Sequence, residues 1–334
     1  MRRPTVHAVA LVAAAICLTQ GAGRPAPRSI EALRKAQVKT LLRHVGALDD
    51  GASFTARLVS YRSGPLTVHA MVATPKSPPP LRGYPVLVAN HGTHPNPPRY
   101  GFGADGTDAR PGDYYRPIPE LYTSRGFVVV APDYRGHNVS QGVEFTRGFL
   151  ASAYYTEDVL ALLAGVPGLE GVDPNALFMW GHSLGGEVTL RAVLATGVIK
   201  GASLWSTVGG DIWEQAYYYS RYRDRESIDG SDVAKSAITT LKQDIAGLGE
   251  PYDWAAREPW QHLRHLRTPL ILHHAVGDEA APYGWSERLA KELYVTGHAY
   301  VFHSYPGTDH LLQGKSQQQA ADRDVQFFRS LIER

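Results

Sequence analysis

The segment that most constrains the fold is Leu177-Phe178-Met179-Trp180-Gly181-His182-Ser183-Leu184-Gly185-Gly186. A continuous apolar run leads into a serine flanked by glycines, and apolar residues then recur at helical spacing from Leu184 to Ala195. A G-x-S-x-G turn between a buried strand and a helix aims the serine hydroxyl away from the sheet. The strained serine backbone that this requires is possible only where glycines leave room around it. The turn also opens a helix N-terminus, whose first N–H groups lack intrahelical partners and can receive an oxyanion.

The rest of the chain fits a strand–turn–helix of this kind. Beside Leu177–Trp180, the stretches Val86–Ala89, Phe127–Ala131, Ala202–Trp205 and Leu270–Leu272 are further apolar runs. Such runs mark strands covered on both faces, as in parallel sheets. Helical spacing appears at Tyr154–Leu163, Leu184–Ala195, Tyr283–Tyr294 and Gln317–Ile332, and Ser29 to about His44 reads as one leading helix. Phe54–Ser63 and Leu66–Thr74 alternate apolar and polar residues around Ser63-Gly64-Pro65, which predicts a β-hairpin. The expected fold is α/β: a mostly parallel sheet of about eight strands with an antiparallel start and helices on both faces. The segment from Asp211 to about Leu266 is too long for a plain connection. It is expected to be a helical cap insertion (about 211–266), in which Tyr217, Tyr218, Tyr219 and Tyr222 interleave with arginines.

At the N-terminus, Arg2 and Arg3 precede the uncharged apolar run Ala8–Leu18 and the small residues Gly21, Ala22 and Gly23. This order predicts a signal peptide over residues 1–23, leaving 24–334 as one domain of a secreted or periplasmic protein. The 334 residues carry 34 Lys+Arg against 32 Asp+Glu, and without Arg2 and Arg3 the two counts are equal. No basic face is therefore expected for nucleic acid, and no polybasic attraction for a stable membrane association. The one cysteine, Cys17, lies inside the apolar run, so the remaining chain has no disulfide or thiolate metal site.

A serine hydroxyl is a weak nucleophile near neutral pH and needs a histidine base steadied by a carboxylate. On a strand–elbow–helix sheet of this kind the chain order is Ser, acid, His. Asp278 follows the strand-like Leu270–His274, and His310 follows Val301–Tyr305. An acid at the carboxyl end of a buried strand faces the crevice where ligands bind. Ser183, Asp278 and His310 are thus the candidate nucleophile, acid and base, with Glu279 and Asp309 as rival acids. Asp278 alternatively caps the following helix. The oxyanion donors expected are the N–H groups of Leu184 and of Thr93, the latter just past the strand ending Asn90-His91-Gly92, with the Tyr100 hydroxyl as a rival. His91, Tyr100, Tyr134, His182 and Tyr218 are candidates to line the substrate pocket. Arg135 is expected to pair with a carboxylate in a structural loop. His273 and His274 alternate across a strand, so no metal site is expected there, and no cofactor is implied.

Four motifs carry a resemblance: Pro132-Asp133-Tyr134-Arg135-Gly136, Gly181-His182-Ser183-Leu184-Gly185-Gly186, His274-Ala275-Val276-Gly277-Asp278 with Pro282, and Gly307-Thr308-Asp309-His310. From about Leu66 onward the chain resembles the α/β-hydrolase catalytic domain of the prolyl oligopeptidase family and its related standalone esterases. The resemblance implies an α/β-hydrolase fold and a Ser183–His310–Asp278 acyl-enzyme mechanism acting on a small ester or short peptide. Leu184 stands where that family often has tyrosine, and Thr93 where a second glycine is usual. Only a short segment precedes the hairpin, where the peptidases usually carry a β-propeller. These departures place ester cleavage ahead of exopeptidase or oligopeptidase activity. A catalytically silent binding module on the same fold is the alternative of another class.

Overall fold

The computed structural model describes residues 25–93, 115–146, 148–223, 231–248 and 253–332. Nine strands form one sheet in the order β1-β2-β3-β5-β4-β6-β7-β8-β9. They are β1 (Arg43–Leu48), β2 (Phe54–Ser63), β3 (Leu66–Pro75), β4 (Tyr84–Asn90), β5 (Val128–Pro132), β6 (Val172–His182), β7 (Gly201–Trp205), β8 (Leu270–Ala275) and β9 (Tyr300–Tyr305). β1, β2, β3 and β5 pair antiparallel, and from β5 across to β9 every pairing is parallel. The hairpin closes in register at Ser63↔Leu66, with Gly64 at φ 57° supplying the left-handed turn residue.

The apolar runs are continuous because both faces of each central strand are buried. Val86 and Val88 pack into one core with Val130, Leu177, Met179, Leu204 and Leu272. Leu87 and Ala89 pack into a second core with Val129, Phe178, Trp180 and Trp205. Helices α1 (Ile30–Lys35), α3 (Ala151–Gly165), α4 (Leu184–Ala195) and α7 (Tyr283–Val295) contribute to the first layer. Helices α2 (Pro117–Thr123) and α8 (Lys315–Ile332) contribute to the second. In that second layer Asp324 of α8 accepts from the Tyr122 hydroxyl at 2.6 Å, Trp205 Nε1 at 2.9 Å and His273 Nε2 at 2.9 Å. One buried carboxylate with three donors thereby ties α8 to α2, β7 and β8.

The segment from Ser29 to His44 is not a single helix. α1 runs only from Ile30 to Lys35, its start capped by Ser29 Oγ, which accepts from the Ala32 N–H at 3.1 Å. Ala36 turns extended, and Arg43–Leu48 pairs antiparallel with β2 as a ninth, edge strand. That strand is mostly solvent-facing and holds its place through backbone pairing, so its side chains carry no alternation.

Between β7 and β8 the chain forms α5 (Ile212–Arg223), α6 (Ser231–Ala246) and a 3-10 turn at Pro259–His265. Ile212, Ala216, Leu241 and Leu248 from this segment pack with Phe145, Leu150 and Tyr154, beside the start of α3. Near its return to β8, Glu258 is buried close to the Glu187–Arg191 pair of α4. Burial pushes its carboxyl up to about 8, with Arg191 opposing and Glu187 adding to the shift. An unfolded glutamate loses its proton near 4.5. The stability this group contributes is therefore complete below that pH and is lost as pH rises toward 8. Glu258→Gln is expected to melt higher than the parent at pH 8, by on the order of a few degrees, with the gap closing by pH 5. Melting curves at the two pH values check this, and a gap independent of pH contradicts it.

Candidate active site

The strand order reverses about β4: the chain steps from β4 to β5 on one side and then to β6 on the other. A crevice opens outside the carboxyl ends of the strands at such a switch point. β4 ends there in Asn90-His91-Gly92, and β6 ends there in His182-Ser183.

Ser183 adopts φ 56°, ψ −123°, the strained backbone of a sharp strand-to-helix turn. The surrounding structure holds it there. Its N–H donates to the Trp205 carbonyl at 3.0 Å, and its carbonyl accepts from Gly186 and Val208, each at 3.0 Å. The flanking glycines are sterically required, since a Cβ on Gly185 would lie 2.0 Å from the Asn90 oxygen and one on Gly181 would lie 2.2 Å from the Gly185 oxygen. A Cβ on Gly92 would lie 2.8 Å from the Ser183 Cβ, so the backbone leaving β4 passes directly beside the serine. Leu184 is the first residue of α4, where helix geometry provides its N–H with no partner, and Thr93 is exposed at the crevice edge.

Asp278 and His310 meet as their order in the chain suggested. His310 Nδ1 donates to Asp278 Oδ2 at 2.6 Å. The other carboxylate oxygen accepts from the N–H groups of Ala280 at 2.8 Å and Ala281 at 3.1 Å, so Asp278 also organises the turn into α7. Burial alone would raise the Asp278 carboxyl, but hydrogen bonds from His274 and His310 outweigh it and hold the group well below the usual carboxylate range. His274 Nε2 stands 3.2 Å from Asp278 Oδ2 and donates to the Ala281 carbonyl at 2.9 Å, while the Ser286 hydroxyl donates to its Nδ1 at 2.7 Å. The rival acids are placed elsewhere. Asp309 accepts from the N–H groups of Leu311 at 3.0 Å and Gln313 at 2.7 Å, and Glu279 is exposed.

The candidate pocket residues divide into three groups. His91, Tyr134 and His182 are fully buried. Aromatic packing turns them inward: the His91 and Tyr134 rings are 4.4 Å apart, Tyr134 stacks on Tyr155 at 4.5 Å, and its hydroxyl donates to the His91 carbonyl at 3.0 Å. Tyr218 of α5 is half-buried, and its hydroxyl donates to the Glu279 carbonyl, joining the insertion to the loop after Asp278. Tyr100 lies outside the described residues, as does the predicted signal segment 1–23.

His182 sits against His310: its ring is 4.3 Å from that of His310, and its Nε2 donates to the His310 carbonyl at 2.8 Å. Burial, reinforced by the neighbouring His310, pushes the His182 imidazole well below its ordinary value and keeps it neutral. Its Nδ1 accepts from the hydroxyl of Tyr115, whose oxygen accepts from the Gly92 N–H at 2.7 Å. Tyr115 has no local signal in the sequence, because its partners Gly92 and His182 lie 23 and 67 positions away in the chain. His274 was legible only as a strand residue. Among the described residues no group of three or more His, Cys, Asp or Glu side chains is placed to hold a metal ion, and no helix is long and apolar enough to cross a membrane.

A strained serine turn at a sheet switch point, with an acid and a histidine in contact beside it, defines an α/β-hydrolase fold. The chain belongs to the alpha/beta hydrolase family, whose model matches residues 86–326. It is 24% identical over 203 residues to the lysophosphatidylserine lipase ABHD12 of Macaca fascicularis, covering 55% of this chain and 42% of that one. The chain thus spans less than half the length of the curated relatives it matches first. Among solved structures, Pyrococcus horikoshii acylaminoacyl peptidase superposes with a TM-score of 0.61 at 18% identity, over 83% of this chain and 42% of that chain. Acetyl xylan esterase 1 from Thermoanaerobacterium sp. JW/SL YS485 gives 0.59 at 14% identity, over 93% of this chain and 96% of that chain. At these identities the structural likeness concerns the fold.

Proposed function

We propose that this chain is a secreted serine hydrolase that cleaves small carboxylic esters through an acyl-enzyme on Ser183. The observation that carries the reading is the 2.6 Å His310–Asp278 contact held beside the strained Ser183 turn by the His182 link. Asp278 accepts the proton-bearing Nδ1 of His310 and so leaves Nε2 as the base. His310 takes the Ser183 proton as the hydroxyl oxygen attacks the ester carbonyl carbon, and the buried carboxylate steadies the imidazolium that results. The N–H groups of Leu184 and Thr93 receive the developing oxyanion. His310 then returns the proton to the leaving alkoxide. A water, deprotonated in turn by His310, releases the acid from Ser183.

Ester cleavage is favoured because the esterase superposition spans nearly all of both chains, whereas the peptidase superposition spans less than half of the peptidase. The peptide reading keeps its support from the prolyl-oligopeptidase-like motifs. Secretion rests on the basic, apolar and small-residue order of residues 1–23. Hydrolysis of a matched alanyl ester and alanyl anilide by the purified protein separates the readings. Turnover of the ester at least about a hundredfold faster in kcat/KM is expected, and comparable turnover of the anilide would transfer the assignment to the peptidases.

A further inference from the structure

His182, Tyr115 and Gly92 form a hydrogen-bond chain that crosses the site beneath Ser183, and its direction is set by its two ends. A backbone carbonyl can only accept, so at His310 the His182 Nε2 must carry the proton. A backbone N–H can only donate, so at Gly92 the Tyr115 oxygen must accept. The single arrangement satisfying both ends has Tyr115 O–H donating to an unprotonated His182 Nδ1. Both side chains are fully buried, so water cannot replace either link without a cavity opening. What they touch is the backbone of the two loops that must be in register there: Gly92, which immediately precedes the Thr93 oxyanion donor, and His310, which carries the base. Gly92 has no slack of its own, since even a Cβ there would lie 2.4 Å from the Tyr115 hydroxyl.

We infer that His182 and Tyr115 are positioning residues, a neutral buried relay that holds the oxyanion loop and the base loop in register across the nucleophile turn. The inference rests on the Ser183–His310–Asp278 reading of the site and adds residues that act on the reaction only through backbone they anchor. Because the relay preserves a geometry needed in the transition state, its loss lowers kcat and leaves substrate binding largely alone.

Tyr115→Phe removes one hydroxyl and keeps the ring. In the full chain it is expected to lower kcat toward an ester by about 10- to 100-fold with KM within about twofold. A fluorophosphonate separates positioning from folding, because the rate of labelling reads the geometry and the final stoichiometry reads the folded fraction. The variant is expected to label to the same stoichiometry as the parent, more slowly. His182→Gln keeps an N–H at the Nε2 position for the His310 carbonyl but loses the acceptor for Tyr115. It should match Tyr115→Phe, and the double variant should be no slower than either single one, as members of one chain require. Parent-like kcat and labelling rate in Tyr115→Phe, additive losses in the double variant, or reduced stoichiometry with an unchanged rate per labelled site would each overturn the relay while leaving Ser183 as nucleophile. Absence of labelling in the parent would overturn the reading of the site itself, and the relay with it.

Discussion

Ser183→Ala is expected to lower ester turnover by on the order of 10⁴- to 10⁶-fold while leaving the protein folded. The size of the loss follows from the division of labour at the site. In the mechanism proposed above, the oxyanion donors and the histidine remain, but no oxygen nucleophile is left to form the acyl-enzyme, and residual rate comes only from water in a pre-shaped crevice. Folding is spared because the turn is held through backbone. The N–H bond to Trp205 and the carbonyl bonds from Gly186 and Val208 do not involve the hydroxyl. Steady-state kinetics beside thermal melting measure both halves of the expectation. A variant retaining more than about a tenth of parent turnover would remove Ser183 from the mechanism.

The largest stability effect is expected at Asp158, in α3. Its carboxylate accepts from the Arg135 backbone N–H at 2.8 Å, from Nε at 3.1 and 3.0 Å and from a terminal nitrogen at 2.8 Å. Both side chains are buried, and the guanidinium carbon lies 5.1 Å from the Phe145 ring and 5.5 Å from the Tyr154 ring. Asp158→Ala strands a buried cation whose remaining acid is Glu157 at 3.6 Å, at an expected cost of about 3–5 kcal/mol. Replacing both partners by apolar residues of similar volume should cost much less, because the penalty lies in the uncompensated charge and the attraction itself contributes little net stability. Denaturant unfolding of the single and double variants measures the contrast. A loss below about 1 kcal/mol in Asp158→Ala would show that water reaches the guanidinium.

The parts of this molecule readable from sequence are those specified by short-range chemistry. The glycines at 181 and 185 have no room for side chains, and they mark the elbow whatever surrounds it. The Ser63-Gly64-Pro65 turn sets the hairpin register, and strands buried on both faces advertise themselves as apolar runs. Asp278 and His310 were legible because each follows a strand whose carboxyl end must face the crevice. Arg135 could be assigned a carboxylate partner, but Asp158 could not be chosen over Glu157, because the two acids stand side by side in α3 and both lie near the guanidinium. β1 escaped notice since an edge strand with solvent-facing side chains leaves no periodic trace. His91 and Tyr134 are fully buried with their rings 4.4 Å apart, and nothing in a strand-end motif signals such mutual packing. The Tyr115–His182 link is a contact between segments that meet only after the sheet is assembled.

Mapping a fluorophosphonate adduct by peptide mass spectrometry tests the assignment of Ser183 most directly, because phosphonylation needs an activated serine and does not depend on knowing the substrate. One adduct per chain is expected, located on the elbow peptide at Ser183 and lost in both Ser183→Ala and His310→Ala. A protein that binds no probe, or carries it on any other residue, would contradict Ser183 as the nucleophile.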